Sequence, residues 1–264
     1  MHKTALFRRV ISVAQAICEL VDDNFEKNRL LEQFPRDIES LILYSLEIPI
    51  IRLPNLSLQS ASHYLCALTK NTVLFREEAN DRSLYGLLHV GPPSNIIFVR
   101  DGLSPPIVNY VLAHEIGHFM ADVFWVRQLW IATMPEKKVA IQQAFSWENF
   151  DSHLELAAVI KGLPDRPKTI TGRSNVTVRG TSEREIQADL IARELLAPWE
   201  IVSKLFRPNQ QEMVILLQQR FGLPRKIASQ YFDDLMRCLM DHPDTIDRLF
   251  SNLLHGSRRN SSQK

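Results

Sequence analysis

Long apolar runs are what this sequence of 264 residues most plainly lacks: no stretch reaches the roughly 18 uninterrupted apolar residues of a membrane span. Cysteine is scarce as well. Cys18, Cys66 and Cys238 lie far apart with no CxxC pair, and an odd, scattered set argues for free core thiols in a reducing compartment. Neither sign of charge is in excess. The net charge is +1, and no basic stripe or basic helix favours nucleic acid or a membrane surface, so direct DNA binding is not expected. There is no internal repeat, and the only low-complexity tract is the polar C-terminal GSRRNSSQK. What remains is an ordinary globular composition, 45% hydrophobic and 23% charged, long enough to bury a core without disulfides.

The opening MHKTALFRRVISVAQAICELVDD has the basic residues, short apolar run and Ala-x-Ala of a secretory signal. Its run is only about nine residues long and leads straight into a charged amphipathic pattern, so the reading is a helix and a cytoplasmic protein. Residues 5–21 and 36–46 carry apolar positions three and four apart and read as helices. EIPIIRLP (47–54) reads as a short strand. From 72 onward TVLFRE, YGLLHV and NIIFVR are extended, and the last two flank GPPS as a β-hairpin. Ser104 then caps a helix expected from about Pro106 to Trp125. Residues 126–162 are helical in pieces, broken near Pro135, and LPDRPKTITGRSNVTVRGTS (163–182) reads as a surface loop. Thr181 caps a helix that runs through EREIQADLIARELL and stops at Pro198. Three further helices are expected over 199–250, two of them separated by the turn FGLP (221–224).

VLAHEIGHFMADVF (111–124) places His114 and His118 four apart around Glu115. On a helix both imidazoles project from one face, one turn apart, and can meet a single ion at about 2.0–2.1 Å. Glu115 is rotated off that face, where it can serve as a general base without taking a coordination position. The plainer reading is a buried apolar helix whose histidines bond to backbone carbonyls. A hydrolytic zinc needs a third ligand, and EREIQADLIAREL supplies one. Glu185 can be the carboxylate ligand, and Asp189, one turn on, can accept the remaining ring N–H of a ligand histidine. Ala188 and Ala192 beside them are small enough to let the two helices approach closely. Glu183 competes with Glu185 but lies near the helix start and has no partner four residues on. As a solvated charged face the acidic pair would be unremarkable; on the small apolar side of a helix an unpaired carboxylate is costly.

HEIGH, followed by E-x-x-A-D-x-x-A-x-x-L-L-x-P from Glu185 to Pro198, resembles the ImmA/IrrE family of metallopeptidases, themselves similar to gluzincins. The hairpin, the NYVLAHE lead-in and FGLPRKIASQYFDDL (221–235) fit that pattern too, so the likeness covers roughly 45–125 and 181–235. It implies an α+β, mainly helical zincin-like domain with a small β-sheet or hairpin packed on the HExxH helix. His114, His118 and Glu185 would hold Zn2+, with Mn2+ as the alternative; Glu115 would be the catalytic base, and Asp189 the carboxylate that supports a ligand histidine. The implied activity is cytoplasmic endoproteolysis of helix-turn-helix transcriptional repressors. Two residues depart from the pattern, Ile191 for phenylalanine and LLAP for an ending with methionine. Residues 119–184 are also longer than the family's usual connection, marking 126–180 as an insertion.

The division expected is an N-terminal helical region (1–46), a metallopeptidase domain (47–250) and a disordered polar tail (251–264). Tyr231, His153 and nearby arginines are candidate oxyanion donors, with a structural role the default for each. The competing function is a metal-binding regulatory or partner-binding module with little or no proteolysis. In that reading Trp125, Trp130, Phe145, Trp147 and Phe150 are interface anchors.

Overall fold

The structure, a computed structural model, describes residues 33–46, 48–69, 82–90, 94–124, 170–173 and 183–241. Helices and strands are numbered in chain order within these residues. They comprise α1 (Ile38–Ser45), β1 (Ile50–Leu53), α2 (Leu58–Thr69), β2 (Gly86–His89), β3 (Ile96–Arg100) and α3 (Pro105–Phe119). After them come β4 (Ile170–Arg173), α4 (Glu183–Leu196), α5 (Trp199–Lys204), α6 (Gln210–Phe221) and α7 (Arg225–Asp241). The architecture is α+β, mostly helical around one small sheet. Among the described residues no helix is long and apolar enough to cross a membrane.

The sheet has the order β1-β3-β2-β4, with β1 parallel to β3 and the other two pairings antiparallel. β2 and β3 are the expected hairpin, with Gly86 opposite Val99 and His89 opposite Ile96. Both read as apolar runs because both of their faces are covered. Alternation sends Leu88, Ile97 and Val99 into the main core with α3, while Leu87, Ile96 and Phe98 face Leu56, Ala61 and Leu65 at α2. β4 corrects the expectation of a surface loop over 163–182: Ile170–Arg173 pairs along β2, with Arg173 opposite Gly86. α2 had no counterpart in the sequence reading. Residues 5–21, 72–77, 126–169 and 251–264, His153, the Thr181 cap and the five interface aromatics lie outside the described residues.

α1 starts at Asp37, whose side chain accepts the Ser40 N–H, and buries Ile38, Leu41 and Ile42 in the main core. Asn109 of α3 ties this segment down, donating to the Arg36 carbonyl and accepting the Ile38 N–H. Arg36 in turn donates to the Leu195 carbonyl of α4. Residues 33–46, assigned in the sequence to an N-terminal region, therefore share the core that holds α3 and α4. α3 passes into a π-helical turn at Met120–Phe124, a widening that often accompanies a functional site. Gly222 ends α6 at φ 70°, the left-handed conformation that makes FGLP a turn.

One buried acid gives this fold a pH dependence. Glu194 accepts the Trp199 N–H across the Pro198 corner, and burial pushes its carboxyl up to about 7, against the pull of that N–H and of Arg36. A pKa raised in the folded state means the unfolded chain ionises first. The contribution to stability is whole below the ordinary carboxylate range and is lost as pH rises from about 4.5 to 7, amounting to about 3 kcal/mol. Glu194→Gln keeps an oxygen for the Trp199 N–H and removes the titration. Urea denaturation is expected to show the variant more stable than wild type at pH 8 by about 1–3 kcal/mol, with the difference closing towards pH 5. An unchanged pH profile would count against the assignment.

A candidate metal centre between two helices

The helix pair α3–α4 makes the most extensive contact between elements in the described residues. The two helices approach tightly at Gly117, inside the HEIGH motif, where a Cβ would lie 2.8 Å from the Ala188 carbonyl oxygen and 2.9 Å from its Cα. Only a glycine surface permits this contact, and it brings Glu185, one turn before Ala188, across from His114 and His118. Both histidines are buried, at 1% and 2% exposure, while the Glu185 side chain keeps 20%. The site thus has a buried floor and one carboxylate reaching towards solvent.

Three side chains converge, each histidine nitrogen meeting a different oxygen of the Glu185 carboxylate. His114 Nε2 and His118 Nε2 are 3.1 Å apart, His114 Nε2 is 3.4 Å from Glu185 Oε2, and His118 Nε2 is 3.3 Å from Glu185 Oε1. A tetrahedral ion with ligands at about 2.0–2.1 Å demands edges of about 3.3–3.4 Å. The spacing of these nitrogens and oxygens therefore fits a zinc-sized cation, and two imidazoles with one carboxylate are a donor set that leaves a fourth position open. Among the described residues this is the group of histidine, cysteine and acidic side chains able to hold a metal.

The two acids and the histidines are electrostatically matched. Burial alone would lower the His114 pKa, but its bonds to Asp189 and Glu185 outweigh this and raise it above the ordinary value. Burial alone would raise the Glu185 pKa, yet the hydrogen bonds from His114 and His118 hold it well below the usual carboxylate range. Asp189 Oδ1 is 2.9 Å from His114 Nδ1. That contact keeps a proton on Nδ1, so Nε2, which otherwise donates to Glu185, is the nitrogen that can give up its proton and bind an ion.

Glu115 is 1% exposed and packs beneath β2. A Cβ on Gly86 would stand 2.8 Å from Glu115 Oε1 and 2.4 Å from Val111 Cγ1, so the strand backbone lies directly on the carboxylate. The structure thus brings His114, His118, Glu185, Asp189 and Glu115 into one region. Glu183 sits in the first turn of α4 and is not in the ligand group. Tyr231 is not at the site: its hydroxyl donates to the Ala197 carbonyl at the far end of α4, 2.9 Å away. Arg193 is engaged by Asp234 at 2.6 Å. No oxyanion donor is identified among the described residues. Sequence reasoning missed Tyr110, whose hydroxyl donates to Asp189 Oδ1 at 2.7 Å. Its position one turn before His114, on the same helical face, was the available signal.

Searches against protein-family models and against curated proteins found no match to this chain.

Proposed function

We propose that this chain is a zinc-dependent endopeptidase of zincin type, akin to the ImmA/IrrE metallopeptidases, acting in the cytoplasm on a helix-turn-helix repressor or similar regulatory protein. The observation that carries the proposal is the convergence of the His114 and His118 Nε2 atoms on the Glu185 carboxylate, at 3.1–3.4 Å from one another and from its oxygens, with a buried glutamate one residue from the first histidine. The repressor substrate and the cytoplasmic setting rest on the likeness of HEIGH and EREIQADLIARELLAP to that family. Zn2+ is the first choice of metal, and Mn2+ is the alternative.

A divalent ion at this site would supply Lewis acidity, making a water acidic enough to react near neutral pH and polarising a carbonyl. His114, His118 and Glu185 would hold it. Asp189 keeps the His114 proton on Nδ1, so that Nε2 is the donor. Glu115 accepts the proton of the attacking water and returns it to the leaving amine, a shuttle that suits a carboxylate held off the ligand face.

The test is a mass-spectrometric search for new protein N-termini in cells expressing wild type or Glu115→Gln. Termini present only with wild type are expected, and they would name the substrate and the cleaved bond together. Matching samples under several stress conditions, with zinc bound by both proteins, would replace the peptidase reading with a metal-binding regulatory module.

A further inference from the structure

Tyr110 belongs to neither motif, yet it is built into the centre. It is 2% exposed, on the α3 face that carries His114 one turn later, and its ring lies 6.4 Å from the His114 ring. Its hydroxyl donates to Asp189 Oδ1, the same oxygen that stands 2.9 Å from His114 Nδ1. One carboxylate oxygen thus receives two donors, both from α3, while Asp189 itself belongs to α4. Behind it, one turn further along α4, the Arg193 charge attracts Asp189. Arg193 is in turn anchored by Asp234 of α7 at 2.6 Å, and Asp234 also meets Arg237 at 2.8 Å.

We infer that Tyr110 is a positioning residue for the metal centre: its hydroxyl pins the Asp189 carboxylate in the orientation that accepts the His114 Nδ1 proton. A carboxylate bonded to the imidazole alone can rotate about its terminal torsion, which is soft. A second donor from the same helix fixes that torsion, and with it the direction of the His114 Nε2 lone pair. The hydroxyl acts on Asp189, so its effect on the centre passes through that carboxylate. The inference rests on the metal-centre reading of His114, His118 and Glu185, but not on peptidase activity.

The experiment is a double-mutant cycle on the full chain, with Zn2+ affinity measured by competition with a chromophoric chelator. Tyr110→Phe removes only the hydroxyl and is expected to weaken zinc binding about tenfold, the lower range for loss of a supporting partner. In the Asp189→Ala background the same change is expected to shift the affinity less than about twofold, because the group through which it acts is gone. Two results overturn the inference: Tyr110→Phe binding zinc as wild type does, or an equal loss in both backgrounds, which would mark a general structural effect. Failure of the wild-type chain to bind zinc would overturn the metal centre itself, and that outcome is distinct from the other two.

Discussion

Gly117→Ala is expected to weaken metal binding by about 100-fold, although residue 117 is not a ligand. The added methyl would stand 2.8 Å from the Ala188 oxygen and 2.9 Å from its Cα. Ordinary contact begins near 3.4 Å, so α3 and α4 must separate by about 0.6 Å, and the obstructing atoms are backbone that cannot swing aside. Metal sites tolerate about ±0.2 Å in ligand placement. Because two ligands sit on α3 and the third on α4, the separation falls directly on the Glu185 distance. Overpacking of this kind also costs about 1–3 kcal/mol of stability. Zinc titration and a thermal melt of the metal-free chain check both halves. Adding Ala188→Gly to Gly117→Ala is not expected to restore binding, since the clash is with atoms a glycine keeps. Wild-type affinity in Gly117→Ala would sink the account of how the helices set the site.

The parts of the site readable in the sequence are those that a single helix fixes. His114 with His118, and Glu185 with Asp189, are four-residue spacings, and a helix turns such spacings into shared faces whatever surrounds it. Ala188 was legible as a small residue that permits close approach, and Gly117 is what it meets. Tyr110 obeyed the same rule and was passed over because a tyrosine on an apolar helix reads as core, which by burial it also is. α2 was passed over for a different reason. LQSASHYLCALT is a weak helix by composition, but Ser57 and Ser60 cap it reciprocally, each side-chain oxygen accepting the other's N–H at 3.1 and 2.9 Å. A serine in place of glutamate at the third position hides that box. β4 had only a short local signal: Thr169, Ile170 and Thr171 are β-branched, but Gly172 and a turn-rich polar sequence follow, and the strand's state is set by pairing with β2, a contact with residues more than 80 positions earlier. Tyr231 shows the converse, a polar aromatic near a motif whose hydroxyl is committed to a helix end.

Glu115→Gln is expected to lower peptide turnover by about 10²–10⁴-fold while leaving zinc stoichiometry at the wild-type value. The two parts of this expectation come from separate features of the site. Glu115 is outside the ligand group, so replacing it takes no donor from His114, His118 or Glu185. It is 1% exposed and covered by Gly86, where a residue of different shape would collide, but glutamine matches glutamate nearly atom for atom. What the amide cannot do is accept the water proton, so the loss should appear in kcat with little change in KM. The measurement uses a peptide spanning the bond found by N-terminal mapping, with metal content by mass spectrometry on the same samples. Glu185→Gln gives the contrasting pattern, because there the lost charge belongs to the ligand set and zinc should leave with the activity. Turnover that survives Glu115→Gln would remove Glu115 from the base's role. Zinc lost in that variant would mean that the glutamate supports the metal itself, and the separation of base from ligands argued from the α3 faces would be wrong.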